Sequence, residues 1–378
     1  MKIRKLLNSL LDAYSRYKTG RNLKRRMVSN IKRNGWKNNS APGESEWMRR
    51  WRELSKDIHP CYYRLFSRYL DTASCIIPEN IGIFVIERFL NPRRYRDFYS
   101  DKNLYQQYMR IDEYLPKTYI RRISGGVLLD AAYNALERGS GLFDDKWLDS
   151  YLSSAPDLIL KPSVDTDSGF GVVKFFKTDA GYRDSKGAPL TVNYLKNFGN
   201  DFILQEAVAQ HSFFSNLCKT SVNTMRLCTY RSVKTEEIIV TGGVVRIGCE
   251  GSFVDNAHAG GRFVGINVED GFLKKTTYDQ YGTSQNIWNG VDYSKENLKI
   301  PFFSNIKAAA CDVARQNRHC RLLALDLTLT QEGKPILIEE NVGGFSYWLL
   351  EYTNQDPLAG HLDEVFDYCL SKKEKGAC

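Results

Sequence analysis

Leu322-Leu-Ala-Leu-Asp-Leu-Thr-Leu-Thr330, then Gln331-Glu-Gly-Lys334, then Pro335-Ile-Leu-Ile-Glu-Glu-Asn341 is the stretch whose reading decides the fold. Two apolar runs flank a short turn that holds Gly333, the pattern of a β-hairpin. A hairpin centred on Glu332-Gly333 sets Thr330 against Pro335 and Asp326 against Glu339. Side chains alternate along a strand, so Glu339 and Asn341 share a face, and Asp326 joins them from the opposite strand. Like charges directly opposed destabilise a sheet. A divalent cation would remove the repulsion, and Asp, Glu and Asn oxygens suit a hard ion such as Mg2+. The plainer reading is a hairpin with its polar face in water, which this spacing alone does not exclude.

Working outward, Leu158-Ile-Leu-Lys-Pro162 reads as a strand ending at Lys161, because Pro162 stops regular pairing. A Ser/Gly turn follows at 163–171. There Ser168, Gly169 and Gly171 could bring backbone N–H groups against phosphate, or could form an ordinary hairpin turn. Neither a Walker-A loop nor a dinucleotide fingerprint is present. Asp101 can cap a helix, which puts Lys102 near its start. A cation there opposes the helix dipole, so Lys102 is either incidental or held for an anionic ligand. The strand at 202–208 carries Gln205 and Glu206. At 221–230 the alternation puts Asn223 and Thr229 on one face, and Thr224, Arg226 and Cys228 on the other. The next strand, 237–248, carries Arg246, and a polar loop with Asn256, Gly260 and Gly261 leads into another. An Arg226 directed into a core needs a partner, either a simple ion pair or the acidic hairpin and what it binds. The run 81–86 is a candidate strand, though Glu87-Arg-Phe-Leu90 after it could continue as helix; 128–136, 146–152, 305–318 and 359–371 read as helices.

The 378 residues suffice for two or three domains or one elaborate α/β unit, and a 42% hydrophobic content predicts a packed core. No apolar run reaches the length of a membrane span. The N-terminal apolar stretch is broken by Asn8, Asp12 and Ser15 and makes a poor secretory signal. Nine cysteines, without a Cys-x-x-Cys and mostly within apolar runs, read as buried free thiols in a reducing compartment. The five histidines are scattered, and no zinc site is legible. Residues 1–56 hold 16 Lys/Arg against 4 Asp/Glu, so +12 of the net +9 lies there and the remainder carries −3. That distribution argues against a nucleic-acid-binding core. Residues 1–35 have helical apolar spacing. They read as a basic amphipathic helix on an anionic membrane or a partner protein, or as a helix packed on the body with a solvated basic face.

In their order, Ser100-Asp-Lys-Asn-Leu104, Leu160-Lys-Pro162, Gln205-Glu-Ala-Val-Ala-Gln-His211, Ser221-Val-Asn-Thr-Met-Arg226, Val254-Asp-Asn256 with Gly260-Gly261, Leu325-Asp-Leu-Thr328 and Ile338-Glu-Glu-Asn341 resemble the ATP-grasp enzymes. They resemble most the sugar-transfer-associated branch found with bacterial surface-polysaccharide genes. The resemblance spans about 78–350 and leaves the first 75 residues outside. It implies an α+β ATP-grasp fold with lid and core subdomains, preceded by a basic helical N-terminal region. The implied divisions are 1–77, 78–115 opening the ATP-grasp unit, 116–208 as lid, and 209–378 as core with the metal site. It further implies that Lys102 and Lys161 contact ATP phosphates, with Lys161 also reaching adenine. Ser168, Gly169 and Gly171 would cover the phosphates, and Gln205, Glu206 and Val208 would form the adenine hinge. Asp326, Glu339 and Asn341 would hold two Mg2+, and Asn223, Asn256, Gly260 and Gly261 would lie on the substrate side. D-alanine–D-alanine ligases carry an Arg two residues before the metal Asp; here Ala324 stands there. Arg226 and Arg246 are therefore the candidates to meet the transferring phosphoryl charge.

The implied activity is a cytoplasmic ATP- and Mg2+-dependent carboxylate–amine ligase working through an acyl phosphate. It would join an amino acid or other amine to a uronic acid, on a nucleotide-sugar or a lipid-linked glycan, in capsule or O-antigen biosynthesis. The alternatives are an ATP-grasp kinase acting on a sugar or polyol, and a non-catalytic nucleotide-binding scaffold. Residues 1–35 are the candidate contact with the inner face of the plasma membrane or with a glycosyltransferase, and no nucleic-acid partner is expected.

Overall fold

A computed structural model describes residues 2–136, 143–164, 171–251, 255 and 257–375, with side chains from residue 13 onward. Two antiparallel sheets organise them. The first is built from β1 (Thr118–Arg122), β2 (Leu129–Asp130), β3 (Leu158–Pro162), β4 (Val173–Thr178), β5 (Gly181–Asp184) and β6 (Phe202–Glu206), in the order β2-β1-β6-β3-β4-β5. Helices Asp145–Leu152 and Val192–Phe198 share its core through Leu148, Leu152, Leu195, Phe175 and Phe202. Each starts where its sequence provides a cap: Asp144 accepts the N–H of Trp147 at 2.9 Å, and Thr191 that of Tyr194 at 3.0 Å. The stretch 128–136, read as a helix, is instead β2 and a tight turn. The Asp130 carboxylate takes the N–H groups of Ala132 and Asn134, both at 2.8 Å, and so offers the backbone an alternative to helical bonding.

The second sheet contains β7 (Thr224–Arg231), β8 (Ile238–Ile247), β9 (Arg262–Ile266), β10 (Leu273–Tyr278) and β11 (Ser284–Gln285). After a separate two-stranded ribbon, β12 (Ile287–Trp288) with β13 (Val291–Asp292), it is completed by β14 (Leu322–Leu329) and β15 (Pro335–Asn341). Its order is β11-β10-β9-β8-β7-β14-β15. Met225, Leu227, Val245, Leu323 and Leu325 bury one face against helix Phe303–Gln316 and against Tyr105 and Met109. The opposite face presents Cys228, Tyr230, Val244, Phe263 and Ala324. The helices Lys2–Arg33, Glu44–Leu54 and Cys61–Phe66 cover that face, together with Tyr347–Tyr352 and Leu362–Glu374 near the other end of the chain. The segment from Met27 to Ile77 therefore shares a hydrophobic core with the second sheet.

The run 81–86 is not a strand. It continues a helix from Glu79–Ile81 through a π-helical turn, Gly82–Ile86, into Glu87–Leu90. Glycine is needed at its start, because a Cβ on Gly82 would stand 2.3 Å from Cε2 of the buried Tyr347 ring. Eight free cysteines are described and six of them are buried, as the composition suggested. Among the described residues, no helix is long and apolar enough to cross a membrane.

Candidate functional site

The hairpin β14–β15 forms, and its register carries a correction. Thr330 donates its N–H to Lys334 O at 2.9 Å, and Leu329 faces Pro335, so the turn is one residue tighter than centring on Glu332-Gly333 implied. A bulge at Ile338 then restores the offset, and Asp326 faces Glu339 while Ala324 faces Asn341. On the other side of β14, Arg226 is the direct partner of Asp326. β8 brings in Arg246 two residues beyond Val244, the partner of Arg226. Alternation thus gathers Arg226, Arg246, Asp326, Glu339 and Asn341 on one face of the sheet.

The opposed carboxylates are neutralised by the chain itself. Arg226 grips Asp326 with both arms of its fork, Nε to Oδ1 and Nη2 to Oδ2, each at 2.8 Å. Arg246 donates from Nη1 to Asp326 Oδ2 at 2.8 Å and from Nη2 to Asp255 Oδ1 at 2.7 Å. Asp255 is fixed in turn by the N–H of Thr224 at 2.9 Å and by the Thr224 hydroxyl. Burial alone would raise the Asp326 carboxyl, but the guanidiniums of Arg226 and Arg246 hold it below the usual carboxylate range. Burial raises the Asp255 carboxyl, against the pull of Arg246.

Lys102 neutralises Glu339, with Nζ donating to Oε1 at 2.6 Å. Asp101 caps the turn that holds this lysine by accepting the N–H of Asn103 at 2.9 Å. The backbone N–H of Lys102 donates to Ser163 O at 3.1 Å, so the residue ties the start of the 163–171 loop to the acidic hairpin. Lys161 reaches the same place from β3 and donates to Ile338 O at 3.3 Å. Burial pushes its ammonium down to about 8, with help from the nearby Lys102 and against the attraction of Glu339. A weakly satisfied, half-buried ammonium beside a second one is a place for anionic oxygen.

The hinge runs from the end of β6 to the hairpin tip. Gln205 is buried, and its amide donates to Thr118 Oγ1 at 3.2 Å and Pro116 O at 3.4 Å. Glu206 accepts the N–H of Lys117 at 3.0 Å. Val208 follows in the connection, which is then fastened where His211 donates its N–H to Leu329 O at 2.9 Å. Gly171 turns with φ +77° beside Pro162; Ser168 and Gly169 lie outside the described residues.

Asn223 is not on a substrate surface. It is fully buried, donating to Phe214 O and Cys218 O at 2.8 and 2.9 Å and accepting the N–H of Gly248 at 3.1 Å, so it ties the chain entering β7 to the end of β8. Gly260 is exposed with φ +89°, and Gly261 is buried just before β9. Asn256 lies outside the described residues.

Three residues at the site carried no role in the sequence reading. Asp255 orients Arg246. Ser346 Oγ accepts from Arg226 Nη1 at 3.3 Å. Glu87 accepts the N–H groups of Gly344 and Phe345 at 2.7 and 3.0 Å and so fixes the segment that follows β15. Only Asp255 had a local signal, its place in the Val254-Asp-Asn256 run. Glu340 points to the opposite face, as alternation requires. It is buried, takes a bond from Tyr108 at 3.4 Å and another from the Asn317 amide, and burial raises its carboxyl well above the usual range.

The donor set fits a hard cation. Two carboxylates and an amide share one face, and Asn341 directs its Nδ2 to Ala324 O at 3.1 Å, leaving its Oδ1 as the acceptor. Four cations, Lys102, Lys161, Arg226 and Arg246, face three carboxylates, Asp255, Asp326 and Glu339. That excess of positive charge suits a polyphosphate accompanied by its metal ions.

The family model described as sugar-transfer associated ATP-grasp matches residues 87–366, most of the chain. No curated protein sequence matches it. Among solved structures, the ADP complex of PurK, N5-carboxyaminoimidazole ribonucleotide synthetase, is 13% identical over 65% of this chain and 45% of that one, with a TM-score of 0.35. D-alanyl-alanine synthetase A from Vibrio cholerae is 13% identical over 73% of this chain and 65% of that one, at 0.38. The ATP-grasp ligase PsnB, solved with precursor peptide PsnA2 and AMPPNP, is 11% identical over 88% of this chain and 76% of that one, at 0.40. The chain thus spans about half to two thirds of the first two proteins. At these scores the likeness is distant, and the family match carries the assignment.

Proposed function

The chain belongs to the sugar-transfer associated ATP-grasp family, and on that footing we propose that it is an ATP- and Mg2+-dependent carboxylate–amine ligase. Its acid substrate is a uronic-acid sugar carried on a nucleotide or a lipid. Its second substrate is an amino acid or other amine, and its product enters capsule or O-antigen polysaccharide. One observation carries the reading: Lys102, Lys161, Arg226 and Arg246 converge on the opposed pair Asp326 and Glu339.

A carboxylate is a poor acyl donor because its leaving group would be oxide. Transfer of the ATP γ-phosphoryl to the carboxylate gives ADP and an acyl phosphate. The amine then attacks the acyl carbon, phosphate leaves, and the amine gives up a proton. Mg2+ held by Asp326, Glu339 and Asn341 would supply charge neutralisation for the phosphoryl transfer. Lys161 and Lys102 would bind phosphate oxygens, and Lys102 would exchange Glu339 for them. The fork of Arg226 is fixed by Asp326, with its Nη1 turned to Ser346, and Arg246 is braced between Asp326 and Asp255. Both guanidiniums are thereby oriented in advance, which is how a protein stabilises developing anionic charge without reorganising. The chemistry needs no side-chain nucleophile.

The test is ADP release by the purified protein with Mg-ATP across a matrix of UDP-uronic acids and amino acids, with mass spectrometry of the products. The reading expects release that requires both an acid and an amine, and a product lighter than their sum by one water. Release with a sugar alone, and a product heavier by one phosphate, would replace the ligase with a kinase.

A further inference from the structure

Helix Lys2–Arg33 packs on the body by one side of its C-terminal part. Met27, Asn30 and Ile31 are buried there, Asn30 Nδ2 donates to Tyr352 Oη at 2.9 Å, and the Arg33 guanidinium stands 3.9 Å over the Tyr281 ring. Another side is turned to solvent. Tyr14 and Tyr17 are 65% and 64% exposed, and Lys18, Arg21, Lys24 and Arg25 are exposed as well. These positions follow Tyr14 by 3, 4, 7, 10 and 11 residues, the spacing of a single helical face. Met27 and Asn30 lie about 140° and 160° round the helix from Tyr14, on the far side from the tyrosines, while Ile31 shares its azimuth with Lys24 and marks the edge between the packed and the solvent side. The helix contains eleven Lys/Arg and one acid, Asp12, a net of 11 − 1 = +10.

We propose that this face lies on an anionic lipid surface. The two tyrosines supply the part that enters the headgroup boundary, each with a polar tip suited to it. The four basic residues that continue the same face supply the attraction to acidic headgroups. A face of two tyrosines and four cations with no acidic residue among them is complementary to a bilayer of negative charge. The helix also reaches the catalytic sheet. The Arg26 guanidinium is 5.7 Å from the Trp348 ring, and Trp348 follows by two residues the Ser346 that contacts Arg226. The helix that carries the lipid face thus also packs against the segment that contacts Arg226, which would hold the site near that surface.

The full chain, tagged only at its C-terminus, is sedimented with vesicles of phosphatidylcholine alone and of equal parts phosphatidylcholine and phosphatidylglycerol. The proposal expects binding to the anionic vesicles that is about a hundredfold stronger than to the neutral ones and is largely lost at about 1 M salt. The variant Lys18→Glu/Arg21→Glu/Lys24→Glu/Arg25→Glu should lose binding to the same extent while keeping its melting temperature and its ADP affinity. The variant Tyr14→Ser/Tyr17→Ser should weaken binding without removing its salt dependence. Equal binding to both vesicles, no binding to either, or an undiminished charge-reversed variant would each overturn it, as would a protein partner that captures this face while vesicles do not. The assay contains no ATP, so its failure leaves the ligase reading standing, and absent ADP release would leave this one standing.

Discussion

Asp326 and Glu339 face each other across one strand pair and would both ligate metal, yet the structure assigns them unequal structural weight. Asp326 has a 4% exposed side chain and accepts three guanidinium bonds, all at 2.8 Å. Asp326→Asn keeps the shape, but it removes the charge and turns an NH2 group towards an arginine. Removing one member of a buried ion pair costs about 3–5 kcal/mol. Arg246 retains Asp255, so the lower end, about 3 kcal/mol, applies. Glu339 has a 30% exposed side chain and holds a single bond from Lys102, so Glu339→Gln should cost about 1 kcal/mol or less. At about 2 °C per kcal/mol, calorimetry without nucleotide should place Asp326→Asn about 6 °C below the wild type and Glu339→Gln within about 2 °C of it. Both variants should lose the extra stabilisation that Mg2+ adds to bound ADP, and turnover with it. Equal melting temperatures for the two variants would refute the ion-pair account of Asp326. A Glu339→Gln protein that kept full activity and Mg2+-dependent stabilisation would refute the metal assignment.

Lys161, with its ammonium lowered from 10.5 to about 8 by burial, should make ADP affinity fall as pH rises through about 8, approaching tenfold per pH unit once the amine is mostly neutral. Calorimetric titration between about pH 7 and 9.5 reads the slope, and a flat profile would contradict it. The sign for folding is opposite: the cost of burying the ammonium is present below about 8 and is relieved between there and 10.5, so the nucleotide-free protein should gain stability over that window. With Lys102, Arg226 and Arg246 already on the three carboxylates and Lys161 beside them, Mn2+ followed by electron paramagnetic resonance should bind at least tenfold more tightly with ADP present than alone, on the order set by like-charge repulsion in a partly buried site; equal affinities would mean that Lys102 and the arginines do not compete with metal. Gly82→Ala would drive a methyl group into the buried Tyr347 ring, 2.3 Å from Cε2, and should cost about 1–3 kcal/mol in denaturant unfolding, whereas a neutral effect would show that the π-helical turn relaxes without penalty.

The hairpin was legible because its apolar residues, turn glycine and length all agree on one local structure, and agreement across levels is what pattern reading detects. Its register was legible only where two departures cancel. The turn closes one residue tighter than the sequence suggested, and the bulge at Ile338 adds that residue back, so Asp326 meets Glu339 as expected for a reason the pattern did not contain. The run 81–86 failed differently. All six of its residues are glycine or apolar, although Ile83, Phe84 and Val85 are partly exposed, so the sequence carries no contrast between faces and period 2 and period 3.6 cannot be told apart. The stretch 128–136 was lost to Asp130, whose side chain bonds its own backbone. Asn223 shows the limit for sites: a polar side chain beside a strand has the same local sequence whether it meets substrate or ties two backbone segments, and only its partners at Phe214, Cys218 and Gly248 decide. Glu87 and Ser346 act on residues more than a hundred positions away, at Gly344 and Arg226, where local patterning has no reach. The N-terminal helix joins both cases. Its amphipathic spacing was visible, but whether that face packs or stays in solvent depended on Met27, Asn30 and Ile31 taking the body for themselves. That left the tyrosines and the basic run facing outward, so the part of the chain outside the family's match presents an exposed surface of its own.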